Sequence, residues 1–220
     1  MIPVNLIGQG AIGAEVADWI AASGRYRVQT VIRRGQENWP RAALTIDTAG
    51  PDALRTFGPR LLAEGSLWTV GAAALIDADF RARMQTVAEA GGHHLRLFTG
   101  WIAGPALTTR PARLHIRQIA PNLGPAPGVL FDGPLAQAAQ RFPDHLNTAT
   151  AAALTGPGIA ATTITLTSAD AGGPHGIDAT FECPGSRIDT SIRFDGTGPH
   201  PVAAAIIAGL TRRDCWVSYG

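Results

Sequence analysis

Near the N-terminus the apolar run Pro3-Val4-Asn5-Leu6-Ile7 stops at Gly8-Gln9-Gly10-Ala11-Ile12-Gly13. Glu15, Val16, Trp19 and Ile20 continue it at helical spacing, so the stretch predicts strand, tight turn and helix. Each glycine has a separate reason to be there. Gly8 permits the tight turn, Gly10 lets the backbone approach a bound pyrophosphate, and Gly13 lets the helix lie close to the strand. The helix N-terminus directs unpaired N–H groups and the positive end of its dipole at that anion. Residues 8–13, Gln9, Ala11 and Ile12 included, are therefore the first candidates for binding a dinucleotide, NAD or NADP.

Composition limits what such a chain can be. Its 220 residues, 45% hydrophobic and 16% charged, are enough for a large buried core. A formal net charge of +1 leaves no electrostatic footprint for nucleic acid, and the longest apolar run, 202–210, is too short to span a bilayer. No charged leader or cleavage site precedes the first strand, so no signal peptide is expected. Cys183 and Cys215 have neither disulfide-framework nor zinc spacing, and a cytoplasmic location is the simplest expectation. All 18 Lys-plus-Arg positions are arginine. Schiff-base chemistry, a P-loop lysine and any lysine acid/base are thereby excluded.

Along the chain, strand and helix alternate as in a doubly wound parallel sheet, a Rossmann-type α/β fold. A helix from Ala11 to Ser23 ends at Gly24, and Arg27–Ile32 reads as the second strand. Arg33-Arg34 follows, twenty residues past Gly13, where a carboxylate would take the ribose hydroxyls of NAD. Two guanidinium groups there suit a 2′-phosphate instead, which favours NADP. Only 36–41 separate this from the run Ala42–Ile46, too few for a crossover helix, so that helix must be missing. Thr48-Ala49-Gly50-Pro51 is a turn, and a helix runs to Glu64. Leu67–Val70 is a strand, Gly71-Ala72-Ala73 a turn, Asp77–Ala90 a helix and His94–Phe98 a strand. The turns at Gly8, Arg33, Ala49, Thr69 and Thr99 are expected to converge.

After Gly104 the texture changes, which divides the chain into a dinucleotide-binding domain, 1–104, and a substrate and dimerisation domain, 105–199. The helix at 200–220 is expected to return to the first domain. Proline-rich residues 111–128 read as a loop-rich connection, followed by helices at Pro134–Gln140 and Asn147–Leu154. Ile159–Leu166, Ile177–Phe181 and Ile188–Phe194 alternate like strands of an open, mostly antiparallel sheet.

Five segments in the same order resemble the L-aspartate dehydrogenases. Thr48-Ala49-Gly50-Pro51-Asp52-Ala53 is similar to that family's Cys-Ala-(Gly/Ser)-Pro-Glu-Ala, and Thr69-Val70-Gly71-Ala72 to its Ser-Val-Gly-Ala. Thr99-Gly100-Trp101-Ile102-Ala103-Gly104 resembles Ser-Gly-Ala-Ile-(Ala/Gly)-Gly. Phe142-Pro143-Asp144-His145-Leu146-Asn147 resembles Phe-Pro-x-Asn-x-Asn, and Gly173-Pro174-His175-Gly176-Ile177 resembles Asn-x-His-(Glu/Ile)-(Ile/Val). The resemblance implies NAD(P)-dependent oxidation of L-aspartate, a small amino-acid substrate, to iminosuccinate, which hydrolyses to oxaloacetate and ammonia. It also implies a homodimer formed through the second sheet. By position it assigns the catalytic histidine to His175, and cofactor contacts to Ala49, Gly50, Thr69, Val70, Gly71, Trp101 and Asn147. The chain departs from the pattern where the family carries Pro-x-Asn-Pro-Lys-Thr-Ser before its last helix, here Gly198-Pro199-His200-Pro201-Val202-Ala203-Ala204. A dinucleotide-binding protein that has lost the aspartate site is the competing expectation.

Other residues weigh less. His93-His94 are neighbours on a strand, facing opposite ways, and read as structural rather than as a metal pair. His145 and His200 lie in loops able to approach the site, and Cys183 reads as an inert thiol. Arg110, Arg113 and Arg117 alternate with apolar residues and are placed to share one face, either near a carboxylate substrate or, the commoner fate of such residues, solvated.

Overall fold

The computed structural model describes residues 1–98, 100, 102, 112–121 and 123–213. The expected boundary at 104/105, together with Thr99, Trp101, Arg110 and Cys215, lies outside them. Strand β1 (Ile2–Ile7) leads into helix α1 (Ala11–Ala22), and β2 (Tyr26–Ile32) follows. Next come β3 (Leu44–Asp47), α2 (Pro51–Glu64), β4 (Ser66–Thr69), a 3-10 helix (Ala72–Ile76), α3 (Ala78–Gly91) and β5 (Leu95–Leu97). These strands make one parallel sheet in the order β2-β1-β3-β4-β5. Both faces are covered, which is why all four residues of β3 are buried, the polar Thr45 and Asp47 included. Val4, Leu6, Ile46 and Trp68 share a core with Val16 and Ile20 of α1 and with Ile206 and Leu210 of the last helix, while Ile7, Ile32 and Leu67 pack with Leu54, Phe57 and Leu61 of α2 and Phe80 and Met84 of α3.

No helix links β2 to β3; the loop lies along α2 instead. Trp39 donates from Nε1 to Glu64 (3.0 Å), meets Phe57 edge-on, and carries the Arg60 guanidinium over its ring at 4.2 Å. From the sheet, Asn5 Nδ2 donates to Pro40 O (2.8 Å). Side chains thus supply the partners that a crossover helix would otherwise find within itself.

The second sheet is mixed. It contains β6 (Arg113–Pro121), β7 (Gly128–Pro134), β8 (Thr162–Ala169), β9 (His175–Cys183) and β10 (Ser186–Phe194), in the order β10-β9-β6-β8-β7. Only β6 and β8 run parallel. Helices α4 (Leu135–Arg141) and α5 (Asn147–Thr155) cover one face, where Leu114, Ile116, Ile164, Leu166, Ile177 and Phe181 pack against Leu135, Ala149 and Ala152. The other face is polar, and exposed pairs such as Arg193–Asp178 (2.8 Å) cross it. Helix α6 (Pro201–Arg212) then returns to the first sheet against α1. Tyr26 donates to Leu210 O (3.2 Å), and Gly209 is so close that a Cβ would lie 3.2 Å from the Trp68 ring.

Two local expectations need correction. Residues 111–128 are not chiefly a connection, because β6 occupies the middle of the second sheet and β7 begins at Gly128. Of the prolines that suggested a loop, Pro121 closes β6, and Pro125 and Pro127 lie between β6 and β7. The turn expected at 71–73 is the start of the 3-10 helix, and Ile159–Ala161 is a second short 3-10 helix before β8. Arg113 and Arg117 do share a face, the exposed one opposite Leu114 and Ile116, in line with the solvated alternative.

The glycines of the first turn separate by what surrounds them. A Cβ on Gly13 would collide with Gly8 O and sit 2.7 Å from Thr48 Oγ1, whereas one on Gly10 would meet no atom within 4 Å. Gly13→Ala is therefore expected to lower stability by about 1–3 kcal/mol, and Gly10→Ala to leave it unchanged. Denaturant midpoints of the two variants, at constant slope, check this.

Candidate active site

In the first sheet, strand order reverses between β1 and β3, so their carboxyl ends diverge into a crevice. Thr48 ties the two ends together. Its N–H and its Oγ1 both donate to Ile7 O, each at 2.8 Å. Gly8 adopts φ +91° here, and a Cβ on it would lie 3.0 Å from both Ala49 N and Thr48 Oγ1. Gly71 packs behind the next turn, where a Cβ would lie 2.6 Å from Gly50 O.

Beneath these turns lies Asp47, fully buried at the end of β3. Its Oδ1 accepts from Ala49 N (2.9 Å), and its Oδ2 accepts from Thr69 Oγ1 (2.7 Å). Thr69 Oγ1 accepts in turn from Gly71 N (2.8 Å). Burial pushes the carboxyl up to about 6, against the pull of Thr69 and the Ala49 and Gly50 amides. Asp47 escaped the sequence reading, although an acid closing a strand as apolar as Leu44-Thr45-Ile46 was a signal for it.

Two cavities open from the crevice. The larger, about 780 Å³, is lined by Gly8, Gln9, Arg33, Arg34 and Ala49, with Arg55 and Asp52 of α2 on its rim. The Arg33 turn is closed by Gln36, whose Oε1 accepts from Arg33 N (3.2 Å). The smaller, about 230 Å³, lies between the sheets and is lined by Ile12, Val70, Gln118, Asn147, His175 and His200, among others. Exposed Asp144 borders both. Gly10 caps α1 and Ala11 begins it, between the two cavities, while Gly13, Gly50, Thr69 and Gly71 form the backing. Trp101 lies outside the described residues.

His175 opens β9 rather than sitting in the preceding loop, and its half-buried ring meets Phe194 edge-on at 6.2 Å. His200 meets the same ring at 5.8 Å. The His200 side chain caps α6 by accepting from Val202 N (3.2 Å), and its backbone N–H donates to Glu15 of α1 (3.0 Å). Burial lowers the pKa of both imidazoles; for His200, Glu15 opposes the shift and His175 adds to it. Asn147, first in α5, crosses between the sheets to accept from Ala73 N at 3.0 Å. His145 reaches the smaller cavity too, whereas His93 holds Leu62 O (2.8 Å) away from it. Among the described residues, no three His, Cys, Asp or Glu side chains gather to hold a metal, and no helix is long and apolar enough to cross a membrane.

A glycine turn at the reversal of strand order, facing a histidine on a second mixed sheet, is the layout of a Rossmann-type dehydrogenase. Comparison with known proteins narrows that class. The family model for the C-terminal domain of aspartate dehydrogenase matches residues 106–207. The L-aspartate dehydrogenase of Ruegeria pomeroyi is 31% identical over 201 residues, 73% of this chain and 72% of that protein. That of Archaeoglobus fulgidus is 28% identical over 170 residues, 66% and 69% of the two chains. The crystal structure of aspartate dehydrogenase from Thermotoga maritima superposes with a TM-score of 0.82 over 100% of both chains, at 18% identity. The chain belongs to the L-aspartate dehydrogenase family.

Asp47 generates a stability prediction. The folded state holds this proton up to about pH 6 and the unfolded chain only to 3.8. The stability this adds is complete below pH 3.8 and is lost as pH rises through about 6. That loss amounts to about 3 kcal/mol. Asp47→Asn should remove this downward slope, which denaturant midpoints from pH 4 to 7 would show.

Proposed function

We propose that the chain oxidises the amino-bearing carbon of a small amino acid with a nicotinamide dinucleotide, NADP in preference to NAD. On this reading L-aspartate becomes iminosuccinate, which hydrolyses to oxaloacetate and ammonia. The observation that carries it is the meeting of the two cavities at Asp144 in a chain of this family. The larger offers a glycine cradle and two arginines, the smaller a histidine on a separate sheet.

The cradle fits a dinucleotide. Gly8 and Gly13 leave no room for side chains of their own, while the space over Gly10 is open at the N-terminus of α1, where a pyrophosphate would meet backbone N–H groups. Arg33 and Arg34 would grip a 2′-phosphate at the far end of the larger cavity. Toward the smaller cavity, Ile12 and Val70 form an apolar wall, and Asn147 braces it through Ala73. The bound cofactor supplies the hydride-accepting chemistry; the protein supplies position and proton transfer. His175, kept neutral by burial, is suited to accept a proton from the substrate ammonium or from the water that attacks the imine. By resemblance, Trp101 also borders the cofactor. We place a homodimer contact on the outer face of the second sheet, and the protein in the cytoplasm.

One observation favours the competing reading. Val202 lines the smaller cavity at the position where the resemblance puts a lysine, a cation suited to a substrate carboxylate or to steadying the site. A dinucleotide-binding protein without aspartate turnover would follow. Absorbance at 340 nm with L-aspartate, with oxaloacetate plus ammonia, and with other small amines separates the two readings.

Two further outcomes are expected. NADPH should bind more tightly than NADH, and Arg33→Asp should erase or reverse the preference, since one guanidinium–phosphate pair contributes about 1.5–3 kcal/mol. Fluorescence titration measures both affinities, and equal values in the unmutated protein refute the preference. His175→Ala should lower kcat about 10²–10⁴-fold at unchanged dinucleotide affinity. In the unmutated enzyme, activity should fall with acid through an apparent pKa below the ordinary imidazole value of 6.5.

A further inference from the structure

We infer that Gln118 is a specificity-determining residue whose side-chain oxygen accepts a hydrogen bond from the amino nitrogen of the substrate. This rests on the amino-acid oxidation proposed above. Strand β6 turns Leu114 and Ile116 inward, and the two-residue period puts Gln118 on the same face, where it lines the smaller cavity. Gln118 Oε1 is buried and has no hydrogen-bond partner among the described residues. An unmade buried acceptor is costly, so a donor brought by a ligand is what this position is built to receive.

The neighbouring polar groups point to which donor. Asn147 commits its oxygen to Ala73 N, and His200 commits its Nδ1 to Val202 N. Gln118 stands opposite Ile177 in the β6–β9 register, which makes His175 its diagonal neighbour on the inner face. Such neighbours are about 7–8 Å apart, a span that a small substrate can bridge. Ile12, in the first turn of α1, and Val70, just after β4, form the wall against which the cofactor ring would lie, and both belong to the first sheet's side of the cleft. Gln118 therefore faces substrate rather than cofactor. At neutral pH the carboxylates of a small amino acid only accept hydrogen bonds, and its ammonium is the group that donates. An oxygen acceptor at Gln118 favours a substrate with nitrogen on the reacting carbon and disfavours the same acid without it.

The test compares L-aspartate with succinate, its des-amino counterpart, by calorimetry on the dinucleotide-loaded protein. Unmutated protein should prefer L-aspartate by about 10–100-fold. Gln118→Met, equal in length but without the acceptor, should bring the two affinities within about threefold. Gln118→Glu, which keeps the oxygens, should retain the preference. Dinucleotide affinity unchanged in both variants verifies an intact fold. A preference that survives in Gln118→Met overturns the inference, as does equal or absent binding of the two ligands to the unmutated protein. Loss of preference in Gln118→Glu as well as Gln118→Met would assign the contact to the amide N–H and also overturn it. Turnover at 340 nm is read separately. If L-aspartate is oxidised while Gln118→Met still discriminates, the proposed function stands and this inference fails. If discrimination collapses but no amino acid is oxidised, the contact of Gln118 with a ligand's amino nitrogen stands, while the proposed oxidation, and with it the ligand's standing as substrate, fails.

Discussion

The crevice depends on one buried carboxylate. Asp47 sits at the end of β3 with no solvent access, and accepts from the backbone of its own turn and from Thr69 on the next strand. Thr69 passes the constraint on to Gly71, and Val70 N donates to Asp47 O at 3.0 Å. A buried carboxylate is costly, and here the cost is large enough to move its protonation into the pH 6 region. It is borne because the alternative is worse. Without Asp47, the amides of Ala49 and Gly50 would be left to find other partners where the chain must turn sharply. The Thr48–Ile7 bonds do the equivalent work between β1 and β3. Together they make the floor of a cradle whose glycines are dictated by proximity.

The second half of the site is held by contacts between residues far apart in the chain. His200 reaches Glu15 across 185 positions, Tyr26 reaches Leu210 across 184, and Asn147 reaches Ala73 across 74. Each crosses from the later part of the chain to the first sheet. Helix α6 matters most, because it lies on α1 and the Trp68 ring while its cap, His200, shares Phe194 with His175. A change in how α6 seats on the first sheet would thus move the histidine wall of the smaller cavity. That couples the packing of the first sheet to the smaller cavity through one helix.

The cleft has also been rewritten relative to the family pattern. Val202 lines the smaller cavity at the position where the resemblance puts the family's lysine, and the whole chain has no lysine. Both cleft histidines whose pKa is perturbed are pushed toward neutrality by burial.

Much of the first sheet was legible in the sequence because its signals are local. The glycine spacing, the missing crossover between Arg34 and Ala42, and the helices ending at Gly65 and Gly92 each follow from steric and capping rules acting over a few residues. His175 and Asn147 were legible only through their place in a family pattern. What the sequence could not display is which strands lie side by side. Strand β6 was hidden by its flanking prolines, yet it is the central strand of the second sheet. With it were hidden the placement of Gln118 in the cleft and of Arg113 and Arg117 on the opposite face. Asp47 was visible as an acid after an apolar run, but its role needed Thr69, twenty-two residues on, to arrive from the next strand. Local spacing determined the turn and the class of ligand it suits. Tertiary packing decided which distant side chains close the cleft, because burial and hydrogen-bond partners exist only once both sheets and α6 are in place.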